Sequence, residues 1–319
     1  MTYFVRGKVM NTHIIDHYAA QIPILPGEYL PAYLSRLRKM TSGVDPRRLM
    51  SFSGSAQLGK LHQLFPRVAS CFAYRESARE YSGVLLKEHL GSRFWRGFVG
   101  EQAYREHIKC VKSRVKSKRS VFEGEEILDG LKPMKFCADC RVADIEKYGV
   151  PIWHATHQIT SIYLCAVHSK PLLSFQLKLG ETLLDYPVIN DEVLSLGIEI
   201  KSDELRNWLN NQSRQLLSIS SEDNRNRLKD VKSSMASAMG ARVTTRNMHL
   251  DITYRLEWRK YLSDALTRLC PSAQNYALFS DKASLGLPQQ LKLTVPVRHP
   301  LVFLLAMKFA EDATEFKAS

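Results

Sequence analysis

Two short pairs of chelating residues, Cys137-Ala-Asp-Cys140 and Cys165-Ala-Val-His168, stand 24 residues apart near the middle of the chain. Zinc takes four nitrogen or sulfur ligands at the corners of a tetrahedron, and a C-x2-C or C-x2-H pair spans one edge of it. Two such pairs fill the coordination sphere and leave no position for a substrate. The separation is longer than in a small finger and suits a ribbon or knuckle made of two turns packed face to face. Cys137, Cys140, Cys165 and His168 are therefore the candidate metal ligands, with structural Zn2+ as the expected cofactor. His154 and His157 lie between the pairs, where they either compete for the ion, hydrogen-bond behind the ligands or sit at the surface. Trp153 is expected in the module's core.

The net charge of +13 becomes informative once it is located. Residues 1–120 hold 21 Lys and Arg against 8 Asp and Glu, and the remainder is balanced at 24 against 24. A localised positive field is the footprint of phosphate-backbone binding. It ends in Lys112-Ser-Arg114-Val-Lys116-Ser-Lys118-Arg119, five positive charges in eight residues, a run that in other settings is only a solvated face. Apolar content of 45% and charged content of 24% are those of a globular protein with a real core. The N-terminus shows no secretory signal. The most apolar stretch, residues 301–307, falls short of the ~20 needed to span a bilayer. Cys71, Cys110 and Cys270 are dispersed and form no disulfide framework, so a reducing cytoplasm is expected.

Along the chain, a helix is expected to start at Pro26-Gly27-Glu28: Tyr29, Leu30, Tyr33, Leu34, Leu37 and Met40 recur at helical spacing, with Arg36, Arg38 and Lys39 largely clear of the stripe. Thr41-Ser42-Gly43 closes that helix. Asp45-Pro46, an N-cap followed by proline at the first helical position, opens another that begins Pro46-Arg47-Arg48. Helix, short turn and second helix outline a helix-turn-helix. Arg36, Arg47, Arg48, Lys112, Arg114, Lys116, Lys118 and Arg119 are the candidate nucleic-acid contacts. Residues 65–110 read as helical with aromatic punctuation. Beyond the metal pairs, a helix starts at Ser202-Asp203, residues 218–235 read as a loop or an exposed helix, and residues 253–270 as an amphipathic helix. His299-Pro300 opens a last, apolar helix. The expected fold is mainly α: a helix-turn-helix-like N-terminal helical domain (1–120), a small zinc-binding ribbon or knuckle module (121–180) and a C-terminal helical domain (181–319).

These motifs also fall in a particular order. Pro26-Gly27-Glu28-x-Leu30 is followed by Leu34-Ser35-Arg36-Leu37, Glu88-His89 and Phe98-Val99-Gly100. Then come Phe136-Cys137-x2-Cys140, Tyr148-Gly149, Trp153, Cys165-x2-His168 and Pro171-Leu172-Leu173. Over residues 22–175 the chain resembles the TniQ/TnsD family, the target-selecting proteins of cut-and-paste transposons. His299-Pro300 and the helix after it resemble a later part of the family. The resemblance implies an adaptor. Such a protein recognises a DNA attachment site, or a CRISPR effector with its guide RNA already on DNA, and recruits an AAA+ ATPase regulator that brings the transposase. It also implies one zinc on Cys137, Cys140, Cys165 and His168, a possible homodimer, and a bacterial, nucleoid-associated setting. Ala138 departs from the Pro that many relatives carry within the first pair. The length of the chain favours the guided type, in which base pairing supplies specificity. A direct reader of an attachment site, and a zinc-containing helix-turn-helix transcription regulator, are the alternatives.

Enzyme chemistry finds little purchase in the same residues. A zinc deaminase needs His-x-Glu ahead of Pro-Cys-x-x-Cys, whereas His154 follows the cysteine pair and lacks that glutamate. Catalytic zinc holds three protein ligands and keeps one position open. No G-x-x-x-x-G-K-[ST] loop is present to cradle ATP. The expected protein is not an enzyme.

Overall fold

The computed structural model describes residues 22–40, 88–89, 92–99, 102, 104–105, 133–176, 186–218, 221–240, 242–243, 248–249, 252–269, 288, 291–292, 297 and 300–318. In chain order these form α1 (Leu30–Met40), α2 (Ser92–Val99), β1 (Met134–Phe136), α3 (Ala138–Tyr148), β2 (Leu173–Phe175), α4 (Asp191–Leu196) and β3 (Ile198–Glu199). They continue with α5 (Glu204–Ser218), α6 (Ser221–Ala238), the strand pair β4 (Arg242–Val243) and β5 (Met248–His249), α7 (Ile252–Leu269) and α8 (Pro300–Ala318). Helices hold 65% of the described residues and strands 8%, which makes the chain mainly α. The helix expected from Asp45-Pro46 and the basic run at 112–119 lie outside the described residues, and with them Arg47, Arg48, Lys112, Arg114, Lys116, Lys118 and Arg119.

Local chemistry sets the element ends. Helix α1 begins at Leu30, after the Pro26-Gly27-Glu28 opening, because that opening is spent on a turn: Gly27 sits at φ 74° and the Glu28 N–H donates to the Leu25 carbonyl at 3.0 Å. Helix α3 stops at Gly149, also at φ 74°, whose N–H returns to the Ile145 carbonyl at 2.9 Å. Only glycine adopts that left-handed cap without penalty. Asn190 caps α4 by accepting from the Val193 N–H at 3.0 Å, and Asp203 caps α5 by accepting from the Arg206 N–H at 2.8 Å. The polar stretch 218–235 is mostly helical. Helix α6 buries Lys232, Met235 and Ala236, with Met239 just beyond its end, a stripe too narrow to stand out in a serine-rich sequence.

Two cores result. The larger joins Phe94 and Phe98 of α2 to Leu205 and Leu209 of α5, Trp258 and Leu262 of α7, and α8. Residues 301–306 of α8 are at most 2% exposed, so its first half is apolar all round because it is surrounded. The smaller core packs Tyr29, Leu30, Tyr33 and Leu37 of α1 against Met134, Phe136, Trp153, Tyr186 and Val193. Strands β1, β2 and β3 form one antiparallel sheet in that order, with Lys135 opposite Ser174 and Ser174 opposite Ile198. Among the described residues no helix is long and apolar enough to cross a membrane.

Candidate metal centre

Strand β1 delivers Cys137 to the start of α3, where it takes the extended N-cap conformation, and Cys140 follows in the first helical turn. Both sulfurs therefore sit at a helix N-terminus, whose unpaired N–H groups and dipole favour the thiolate. The second pair lies on a tight turn. The Cys165 N–H donates to the Lys170 carbonyl at 2.8 Å, the Ser169 N–H to the Cys165 carbonyl at 2.9 Å, and the His168 N–H approaches the Cys165 sulfur at 3.5 Å. Ser169 closes the turn at φ 55°, the left-handed region that a side chain seldom enters. Lys170 Nζ meets Asp139 Oδ2 at 2.7 Å and ties the rim of one pair to the other.

The four side chains that the spacing predicts come together. Cys140 Sγ is 3.5 Å from Cys165 Sγ. His168 Nδ1 is 3.6 Å from Cys137 Sγ, 3.3 Å from Cys140 Sγ and 3.5 Å from Cys165 Sγ. All four ligand atoms lie within 4.8 Å of one another. A tetrahedron with Zn–S of about 2.3 Å and Zn–N of about 2.05 Å has S–S edges of about 3.8 Å and S–N edges of about 3.6 Å. A disulfide would require about 2.05 Å. The group could hold a metal ion, and its edges are compatible with zinc.

Electrostatics favours a cation at this point. Hydrogen bonding to the Cys137 and Cys165 sulfurs, with burial behind it, pushes the Cys140 thiol far up. Hydrogen bonds from Cys137 and Cys140, against burial, push Cys165 far down, and His157 adds to them. Three buried sulfurs cannot all ionise unless a positive charge compensates them. Four donors fill a tetrahedron, so an ion held by all of them would have no open position for a substrate.

The surroundings hold this arrangement from three sides. His157 is buried, burial pulls its imidazole below the ordinary histidine range, and it interacts with the Cys165 sulfur. It thus backs a ligand, one of the roles open to it from sequence. His154 is turned away: its Nε2 meets Asp144 Oδ2 at 2.9 Å. Trp153 is a core residue that packs on Phe136 and Tyr186 and donates its indole N–H to the Pro187 carbonyl at 2.9 Å. Lys135, a residue type ordinarily left in water, is buried. Its ammonium donates to the carbonyls of Ile159 at 2.6 Å and Ile162 at 2.5 Å and lies 5.0 Å from the centre of the Tyr163 ring. From α5, Asn210 Oδ1 accepts the N–H of Leu164 at 3.1 Å and of Tyr163 at 3.4 Å, and Arg214 donates to the Cys165 carbonyl at 2.7 Å.

The one described member of the nucleic-acid set is Arg36, and its guanidinium is engaged within the protein. It donates to Glu28 Oε1 at 2.9 Å, to Glu28 Oε2 at 2.7 Å and to the Pro23 carbonyl at 2.9 Å. The remaining candidates lie outside the described residues. No family model matches the chain, and no curated protein is significantly similar to it.

Proposed function

We propose that this chain is a non-catalytic adaptor that selects targets for DNA transposition. In this reading it links a target, a guide-RNA CRISPR effector already on DNA, to an AAA+ ATPase regulator and the transposase. Zn2+ on Cys137, Cys140, Cys165 and His168 fixes the fold of the module between its two helical parts. The observation that supports the reading is that the motifs carrying the family resemblance, although scattered over 150 positions of sequence, interlock. Glu28 pairs with His154 as an antiparallel bridge, the Tyr29 N–H donates to the Trp153 carbonyl at 2.6 Å, and the Ala155 N–H donates to the Gly27 carbonyl at 2.9 Å. His89 Nδ1 lies 2.8 Å from the Glu28 carbonyl oxygen, and the Leu30 N–H donates to the His89 carbonyl at 2.9 Å. A motif set with a shared physical role supports common ancestry better than the zinc pattern alone, since zinc knuckles arise on many folds.

The excess of positive charge in residues 1–120 favours a second reading, a protein that reads an attachment site directly. Selection of a random duplex DNA library by the zinc-loaded protein separates the two. The adaptor reading expects binding that falls steeply with salt, no enriched motif, and co-purification with an AAA+ ATPase and a CRISPR effector. One long enriched motif with capture of the ATPase would make the chain a direct reader. A motif with neither partner would make it a transcription regulator.

A further inference from the structure

Helix α5 sends four side chains of one stripe into the loop that carries Cys165. Arg206, Asn210, Ser213 and Arg214 fall at i, i+4, i+7 and i+8, a single face of a helix. The Arg206 guanidinium lies 5.7 Å from the centre of the Tyr163 ring. Ser213 Oγ donates to Ser161 Oγ at 2.6 Å, with both serines fully buried. Asn210 is also fully buried. Both of its contacts are backbone N–H donors, so its oxygen must face them, and its amide nitrogen has no partner among the described residues. Arg214 reaches the carbonyl of the ligand Cys165 itself. The main chain from 161 to 165 is thus held on this side by α5 and ends in Cys165, one of the four candidate metal ligands.

We propose that Asn210 and Arg214 are positioning residues for the metal centre, and that the ion and helix α5 stabilise each other through them. This rests on the metal-centre reading and is independent of the adaptor role. The coupling follows from the fate of the buried groups. If the ion leaves, the three crowded sulfurs lose their compensating charge and the turn at 165–168 relaxes. The Leu164 N–H and the Cys165 carbonyl then move off Asn210 and Arg214, and the oxygen of the fully buried Asn210 loses its nearer partner. In the reverse direction, removing Asn210 orphans two N–H groups beside Cys165 and lets the turn leave the geometry the ion requires. Partners of this kind behind a metal ligand typically cost 10- to 100-fold in affinity when lost, by an order-of-magnitude rule. Linkage makes the effect reciprocal: whatever α5 contributes to metal retention, the metal contributes to the order of α5.

The test uses the full-length zinc-loaded protein. Metal content is measured first, then zinc release to a chromogenic chelator, then amide hydrogen exchange of residues 204–218 before and after stripping. Asn210→Leu keeps the side-chain volume and removes the acceptor; Arg214→Met keeps the stem and removes the donor. Leu262→Ala, a core truncation in α7, serves as the control for general loss of stability. The expected result is one zinc per chain, release about 10-fold or more faster in Asn210→Leu and Arg214→Met, and release close to wild type in Leu262→Ala. Exchange in residues 204–218 should rise about 10-fold or more when wild type is stripped. Should either α5 variant fold poorly, the stripping experiment on wild type carries the test alone. Release equal to wild type in both α5 variants, equal acceleration by Leu262→Ala, or unchanged exchange on stripping would overturn the coupling. Absence of bound zinc from wild type would overturn the metal-centre reading itself.

Discussion

Glu28 and Arg36 offer the sharpest quantitative check on how the N-terminal opening is held. Their side chains are 2% and 16% exposed and meet through two contacts, at 2.7 and 2.9 Å. Opposite charges about 4 Å apart at an effective dielectric constant of about 20 attract by about 4 kcal/mol. Removing one partner of such a pair costs about 3–5 kcal/mol, because the other charge stays buried and unpaired. Glu28→Ala also orphans the Leu25 N–H, which donates to Glu28 Oε2 at 3.0 Å. Each of Glu28→Ala and Arg36→Met should therefore lose about 3–5 kcal/mol in urea denaturation. The double variant should lose less than the sum, with a coupling energy of about 2–3 kcal/mol. The same variants bear on nucleic acid. With its guanidinium engaged by Glu28 and the Pro23 carbonyl, Arg36 is poorly placed to reach phosphate, so Arg36→Met, assayed where it remains folded, should leave the salt dependence of DNA binding unchanged. Additivity within about 0.5 kcal/mol, or a salt slope smaller by about one unit, would refute the reasoning.

Replacing Cys137 or His168 by Ala should abolish zinc binding, loosen residues 130–175 and cost at least about 4 kcal/mol, as loss of a structural metal does. Metal analysis with thermal melting checks this, and unchanged values for both would end the assignment. Lys232 is buried beside the Phe303 ring and donates to the Lys292 carbonyl at 2.9 Å, and burial pulls its pKa down to about 8. Its unfolded value is the ordinary 10.5, so between these values the unfolded chain binds the extra proton and stability rises with pH. Lys232→Met should remove that rise, worth about 3 kcal/mol at most, and should stabilise the protein at pH 7; denaturation midpoints from pH 7 to 11 decide it. Ser169→Gly should gain up to about 1 kcal/mol by relieving the left-handed residue, while Ser169→Val should lose about 1–2 kcal/mol. Urea midpoints of the zinc-loaded proteins measure both.

The parts of this protein that can be read from sequence are those whose determinants are local. The two chelating pairs each occupy four consecutive positions. The apolar residues of α8 crowd together, so a buried helix follows directly. Helix α6 is ambiguous because the residues it buries are few, Lys232, Met235 and Ala236, and the lysine breaks the apolar stripe that would mark a core face. Nothing local marks Lys135 as buried: a lysine ordinarily stays in water, whereas here three backbone carbonyls replace that water. Asn210 and Arg214 carry no sequence signal for the metal at all. The groups that Asn210 holds are 46 and 47 residues away, and only the folded chain brings them together.

Residues 186–200 have a practical consequence for anyone who wishes to excise or transplant the metal module. The Tyr186 carbonyl accepts from Ser35 Oγ at 3.0 Å and from Lys39 Nζ at 2.7 Å, and the Ile189 carbonyl accepts from Arg141 Nε at 2.8 Å. The Ile200 N–H donates to the Leu172 carbonyl at 3.0 Å. A fragment cut near residue 180 would keep all four ligands and still lose the third strand of its sheet and the Tyr186 ring that packs on Trp153. It would expose Tyr29 and Phe136, which the removed residues Tyr186, Ile189 and Val193 share a core with, as an adhesive surface. A well-behaved excised module has to begin by Ile22, whose carbonyl accepts from the Tyr33 hydroxyl at 3.0 Å, and run past Ile200.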